Sequence, residues 1–304
     1  MKEVLTKWYR RYLSEEEAVV LLVLLASAFG VMLAFGDILA PVFVAVILAY
    51  LMQGVANFMR HRGLPAEVSV AISTLLFFGG FVAVLLGLAP LVWRQLVALV
   101  REAPAMIEAG RKVLVTLLDE YPVFFTQQQV NELTSVIQAE MASIGQMLVT
   151  KGLSSIPSML ALLVYLILIP LMVFFFLKDR DQLIGWFSGF LPERRPLLDR
   201  IWSELNLQFA NYARGKGIEI LIIGGASYLV FTVFSLNYAA LLGLLVGFSV
   251  IVPYIGATLV TIPVVVVAYA QFGVTPDFLW VFGAYAVIQV LDGNVLVPLL
   301  FSEA

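Results

Sequence analysis

The sequence contains no cysteine and a single histidine, His61. Thiol nucleophiles, disulfides, iron–sulfur clusters and Cys-ligated zinc are thereby excluded, as is any metal site needing two histidines from one chain. Charge is scarce: 13% of the 304 residues are Asp, Glu, Lys or Arg, against about 25% in a soluble domain. A net charge of −3 offers no basic footprint for a nucleic-acid backbone. No Gly-Lys-Ser/Thr triplet occurs, so there is no Walker phosphate loop, and no Rossmann glycine pattern is followed by a suitable acid. Ser154, Ser155 and Ser158 have no histidine near them in sequence, so serine catalysis is not indicated. What the chain has in abundance is hydrocarbon: 62% of its residues are apolar and its mean hydropathy is +0.98. Such a chain cannot cover itself with polar surface in water. It reads as an integral membrane protein and not as an enzyme.

A bilayer core of about 30 Å needs roughly 20 apolar helical residues. Ala18–Phe35, Ile38–Met59, Val68–Trp93 and Gly152–Leu177 are uncharged runs of about that length, each a candidate span. The first is not expected to be a cleavable signal, because Glu15-Glu16-Glu17 precedes it and another span follows at once. Ile220–Pro276 carries no charged residue, and as one helix it would be roughly 85 Å long, too long for one crossing. Asn237 and Pro253-Tyr254-Ile255-Gly256 divide it into three pieces, either short spans or a re-entrant hairpin. Phe278–Ser302 is the last apolar run, interrupted by Asp292. The expected fold is all-α and polytopic, with about seven to eight membrane segments, including a broken helix pair across 238–276.

Lys and Arg mark the cytoplasmic loops. They gather at Lys2, Lys7, Arg10 and Arg11, at Arg60 and Arg62, and through 178–216, while in 94–151 they are balanced by acids. The N-terminus and 178–216 are therefore expected inside and 94–151 outside. The chain divides into three parts: helices in 1–93, an extracytoplasmic insert in 94–152, and a transport core in 153–304 containing the 178–216 linker. The insert is amphipathic: Leu96, Val97 and Val100, then Leu114, Leu117 and Leu118, then Val130, Leu133, Ile137, Met141, Ile144 and Leu148 recur at helical spacing. Such stripes bury against something, here further copies of the chain or the membrane surface. In the linker, Leu198, Ile201, Trp202, Leu205, Phe209 and Tyr212 line one face of a helix suited to the inner leaflet.

Ionisable groups at bilayer depth are costly and usually functional. Asp37 is expected at the interface, and Glu219 beside Arg214 and Lys216 as an ion pair at the membrane edge. Asp292 lies roughly 21 Å along a helix from Phe278, inside the hydrocarbon. Gln289 precedes it by a turn, Asn294 follows it, and Gly293 and Pro298 let the helix bend or unwind. The Pro253–Gly256 break leaves backbone groups without helical partners, a pattern that forms binding sites in transporters. Pro253, Tyr254, Gly256, Gln289, Asp292 and Asn294 are thus the candidate solute site, with Glu219 and Arg214 as further polar candidates. The competing reading is interhelical hydrogen bonding that holds the bundle together. Gly243 and Gly247 form a GxxxG pair suited to close helix packing.

Taken in order, these features carry a resemblance. They are Lys178-Asp179-Arg180, Leu191-Pro192, Tyr212-Ala213-Arg214-Gly215, Gly243 through Gly247, Val252-Pro253-Tyr254-Ile255-Gly256, Ile262-Pro263, then Gln289 and Asn294 ahead of Val297-Pro298. Over nearly its whole length the chain resembles the autoinducer-2 exporter family, the PerM-like permeases. It departs where the family commonly reads Arg-Gly-Gln and this chain has Arg214-Gly215-Lys216, a cation for an amide. Members usually continue through a further glycine-rich span beyond the position of Ala304, so a longer protein is expected. The resemblance implies a secondary transporter of the bacterial inner membrane without cofactor or metal. It implies export of the quorum-sensing signal autoinducer-2, a small hydroxylated furanone-type compound. It also implies a homo-oligomer, a pentamer. Other members resemble sodium (or lithium)/proton antiporters, for which Asp292 is the candidate carboxylate. A non-transporting membrane scaffold is the third reading.

Overall fold

The computed structural model describes residues 16–120, 127–153, 156–192 and 195–302, and every regular element among them is helical. Lys2, Lys7, Arg10, Arg11, the Tyr121-Pro122 break and Ser154 and Ser155 lie outside the described residues. So do the side chains of Leu114, Leu117, Leu118, Val130, Leu133, Met141, Ile144, Leu148 and Ser158.

The first two apolar runs make up α1 (Glu16–His61), two helical segments that meet at a break at Phe35, where φ is −127° and ψ 16°, the point at which the sequence divides them. The break falls directly before Gly36-Asp37, and Pro41 lies within the second segment. Helix α2 (Ala66–Glu120) starts after Pro65 and runs 55 residues through Arg94, past Pro90 and Pro104. The first half of the expected insert is therefore a continuation of the third span. Helix α3 (Gln127–Leu153) follows, and Gly145 approaches α2 closely enough that a Cβ there would lie 3.3 Å from Val100 Cγ1. Next come α4 (Ile156–Lys178) and the short α5 (Arg180–Ser188). Helix α6 (Pro196–Val233) joins the linker helix to the next span without interruption. The remaining elements are α7 (Ala239–Ser249), α8 (Ile255–Phe272), α9 (Pro276–Leu291), a π-helical turn over Asp292–Leu296 and α10 (Val297–Phe301).

Among the described residues, the helical stretches long and apolar enough to cross a membrane include Val19–His61, Ala66–Lys112, Pro196–Val233, Ile255–Phe272 and Pro276–Phe301. Helix α4 is an apolar helix of 23 residues, and Ala239–Ser249 is apolar but shorter. Among the described residues this is an all-helical membrane architecture. Large side chains stand outward along these helices, with Leu33 73%, Leu75 74% and Leu221 76% exposed. Apolar surface on that scale needs lipid, not water, around it.

The chain forms two compact units, one of 1–79 with 160–214, the other of 80–159 with 215–303. In the first, Ala45, Ala49, Met52 and Ala56 form a small-residue face on α1 that packs with Val70 of α2 and Val173 and Leu177 of α4. Small residues at this spacing let membrane helices approach closely. Tyr50 donates to Asn206 Oδ1 at 2.7 Å, and its ring meets Phe209 edge-on at 5.1 Å, seating the first part of α6 on α1. The second unit buries Ile223 and Phe231 of α6, Leu242 and Val246 of α7, Val264 and Val267 of α8, and Val281 and Tyr285 of α9.

Candidate functional site

The second unit is organised by glycine contacts. A Cβ on Gly224 of α6 would sit 3.2 Å from the Gly247 Cα, and one on Gly243 would sit 2.8 Å from the Tyr228 Cβ. The GxxxG pair is therefore a packing surface against α6, as its spacing suggested. Helix α7 spans about 16 Å, well short of a bilayer core. It ends at Val250, and the chain reverses through Pro253 and Tyr254, whose φ of +62° is left-handed. Gly256 lies so close against the Ser249 carbonyl that no side chain fits there. The break read from Pro253–Gly256 is thus a tight return that lays α8 beside α7.

Helix α9 carries a polar stripe at helical spacing. Tyr285 is buried, with its hydroxyl 2.9 Å from Thr261 Oγ1 of α8. One turn on, Gln289 Nε2 is buried without a hydrogen-bond partner, and after another turn so is Asp292 Oδ1. Below Asp292 the helix widens: the Val297 N–H bonds the Asp292 carbonyl, a π-type bond. Pro298 explains the widening, because it cannot donate to the Asn294 carbonyl and its ring would strike it. The expected unwinding at Gly293 and Pro298 takes this milder form.

Near this stripe α6 carries Lys216 and Glu219. Glu219 is 1% exposed. Lys216 Nζ donates to Glu219 Oε1 at 2.9 Å and lies 2.8 Å from Oε2. It also donates to the Val250 carbonyl at 2.8 Å, at the negative end of the α7 dipole, and stands 5.5 Å from the Phe301 ring centroid. Asp292 lies within Coulombic range of both Glu219 and Lys216. The Ser227 hydroxyl is fully buried without a partner. Two carboxylates and one ammonium share this interior, with unpartnered polar atoms among them. Groups of that kind are costly unless a proton, ion, water or solute completes them.

Of the residues picked out by sequence, Glu219, Gln289 and Asp292 come together here. Pro253, Tyr254 and Gly256 form the return just after Val250, with the Tyr254 side chain 90% exposed. Asn294 is exposed, and its amide donates to the Val290 carbonyl at 2.9 Å. Arg214 donates to the Ala210 carbonyl of its own helix at 3.1 Å, and the ion-pair partner of Glu219 is Lys216. Sequence reasoning missed Tyr285, although Tyr285, Gln289 and Asp292 at spacings of four and three already marked one helix face. Glu219 and Ser227 did the same on α6.

A second polar cluster lies at the other end of α7. Ser235 and Tyr238 take left-handed φ of 53° and 60°. Gln271 holds this loop by donating to the Ser235 carbonyl at 2.8 Å and accepting from the Asn237 N–H at 2.7 Å. Gln95 accepts from the Leu241 N–H at 2.8 Å. Burial first, then a hydrogen bond to the Glu102 carboxylate, raise the Tyr238 phenol above its ordinary range. A cavity of about 450 Å³ opens here between Arg94, Gln95, Glu102, Asn237 and Tyr238. No cluster of three or more acidic or histidine side chains fit to hold a metal occurs among the described residues.

The sequence profile of the AI-2E family transporter matches residues 19–304. Across 304 residues, all of this chain and 86% of the relative, the sequence is 41% identical to "Putative permease PerM" of Escherichia coli strain K12. It is 24% identical over 276 residues, 90% of this chain and 76% of the relative, to "Putative transport protein YrrI" of Bacillus subtilis strain 168. "Putative transport protein sll0063" of Synechocystis is likewise 24% identical, over 286 residues.

Proposed function

The chain belongs to the AI-2E transporter family, and from that premise we propose that it is a secondary transporter of the bacterial inner membrane exporting a small polar solute. Autoinducer-2, the quorum-sensing signal, is the solute to test first. The observation carrying this reading is the inward polar stripe of α9, where Gln289 Nε2 and Asp292 Oδ1 are buried without partners beside the Lys216–Glu219 pair. Hydroxyl and carbonyl groups of a solute would complete these atoms. Pro253, Tyr254 and Gly256 shape the return beside the site, and Asn294 extends its polar surface toward the end of the helix. No cofactor takes part.

A second reading, sodium (or lithium)/proton antiport, gains from one finding. A carboxylate site for a small cation often pairs two acids, and Glu219 is the second acid near Asp292. Proteoliposomes given labelled autoinducer-2, sodium and a proton gradient in parallel separate the two. Solute movement alone supports export, ion-for-proton exchange alone supports antiport, and no movement of any kind sinks both in favour of a membrane scaffold.

The orientation proposed from the basic residues puts the N-terminus and 178–216 in the cytoplasm. A cysteine placed at Glu120 in this cysteine-free chain is expected to react with an impermeant maleimide in intact cells, and one at Glu193 only after lysis. The reverse pattern inverts the topology. The insert is proposed as a self-association surface of a homo-oligomer, a pentamer. Ile137, 38% exposed, and the neighbouring Val136, 59% exposed, lie on α3. Ile137→Glu is expected to lower the oligomer mass seen by native mass spectrometry while leaving helicity unchanged. An unaltered mass assigns that face to lipid.

A further inference from the structure

The first compact unit holds a polar cavity that the transport reading leaves without a role. It has a volume of about 100 Å³ and lies where the end of α1 meets the end of α4 and the start of α5. Arg60, Lys178 and Arg180 line it together with the amides of Gln53 and Asn57, and Asp181 is its one acid. Asp181 is 97% exposed and lies 3.7 Å from Arg180. Arg180 is further held by Asn206 Oδ1 at 3.4 Å, an oxygen that also accepts from Tyr50. Arg60 and Lys178 have no ion-pair partner among the described residues. Three cations against one solvated acid leave a surplus of positive charge in a concave site.

Helix dipoles alone do not account for this surplus. Arg60 with His61 and Lys178 sit in the last turns of α1 and α4, where a cation is favourable. One cation at each end would serve, and neither the third cation nor the two amide side chains is needed for it. Helix α5 begins here as well, presenting the positive end of its dipole, with no side chain capping its first turn. A group with several acceptor oxygens and negative charge fits these donors.

The continuation of α5 says where that group comes from. Trp186, Phe187 and Phe190 are 61%, 63% and 72% exposed and stack edge-on at 4.9 Å. Exposed aromatics on a short helix at the end of membrane helices suit the headgroup–acyl boundary. Basic pockets beside such boundaries take lipid phosphates.

We propose that this cavity binds the phosphate of an anionic lipid headgroup, gripped by Arg60, Lys178 and Arg180 while the α5 aromatics lie among the acyl chains. The full chain in detergent is titrated separately with phosphatidylglycerol, phosphatidylcholine and inorganic phosphate, and binding is read by native mass spectrometry and thermal unfolding. Phosphatidylglycerol is expected to bind at least tenfold more tightly than phosphatidylcholine. Arg60→Gln/Lys178→Gln is expected to remove that preference, and Lys178→Arg to retain it. Arg180 is left in place because it also bonds Asn206. Equal binding of the two lipids, or an unchanged preference in the double variant, overturns the proposal. Protection by inorganic phosphate equal to that by phosphatidylglycerol overturns the lipid as its source. Should the double variant fail to fold, Trp186→Ala/Phe190→Ala, expected to weaken lipid but not phosphate binding, provides the same decision.

Discussion

Lys216→Leu is expected to destabilise the protein by about 3–5 kcal/mol, the cost of leaving one partner of a buried ion pair alone. The ammonium reaches Glu219 Oε1 at 2.9 Å and the Val250 carbonyl at 2.8 Å, and Glu219 is 1% exposed. Removing it strands a carboxylate and a helix-terminal carbonyl together. Removing the carboxylate as well relieves most of that cost, so Lys216→Leu/Glu219→Leu is expected to regain much of the lost stability. The two single variants and the double, unfolded by heat or denaturant in one detergent, form a double-mutant cycle. A single-variant loss below about 1 kcal/mol, the range of a solvated surface pair, would show that water reaches the pair and that its burial is not what holds α6 to the end of α7.

Asp292 separates the two transport readings with an effect of comparable size. In the export reading it serves as a hydrogen-bonding group beside Gln289. Asp292→Asn is then expected to keep most of the transport, while Asp292→Leu loses about ten- to a hundredfold, the cost of leaving a buried hydrogen-bonding partner unsatisfied. In the antiport reading the carboxylate must exchange a proton for a cation, and an amide cannot, so Asp292→Asn abolishes coupled exchange with expression and assembly intact. Transport by wild type and both variants in proteoliposomes, from mildly acidic to mildly alkaline pH, distinguishes these results. Wild-type rates with Asp292→Leu would reduce the residue to a packing group in the π-helical turn.

Much of the fold is legible in the sequence because hydropathy and proline act locally. The uncharged runs mark the helices that need lipid, and Pro253 with Gly256 marks the return after α7. The ends of the helices are less legible. Ala18–Phe35 and Ile38–Met59 read as two runs, and the backbone does leave helical geometry at Phe35, whereas at Arg94 the apolar run ends and the helix does not. A charged side chain interrupts an apolar run but not a backbone ladder, so α2 passes Arg94.

By itself the sequence determined that the chain is an apolar, helical membrane protein, and it singled out Gln289 and Asp292, one turn apart, as polar groups within the last apolar run. Each of these follows from residue type and spacing along a single element. Only the tertiary structure decided which groups meet. Glu219 and Asp292 are far apart in the chain. They come within Coulombic range because Gly224, Gly243 and Gly247 seat α7 on α6, the return at Gly256 lays α8 beside α7, and α9 meets α6 where Phe231 and Tyr285 lie 6.0 Å apart. The choice of Lys216 as the partner of Glu219 has the same origin. It is the cation that can reach both that carboxylate and the Val250 carbonyl, and that carbonyl is brought within reach only by the packing of a different helix.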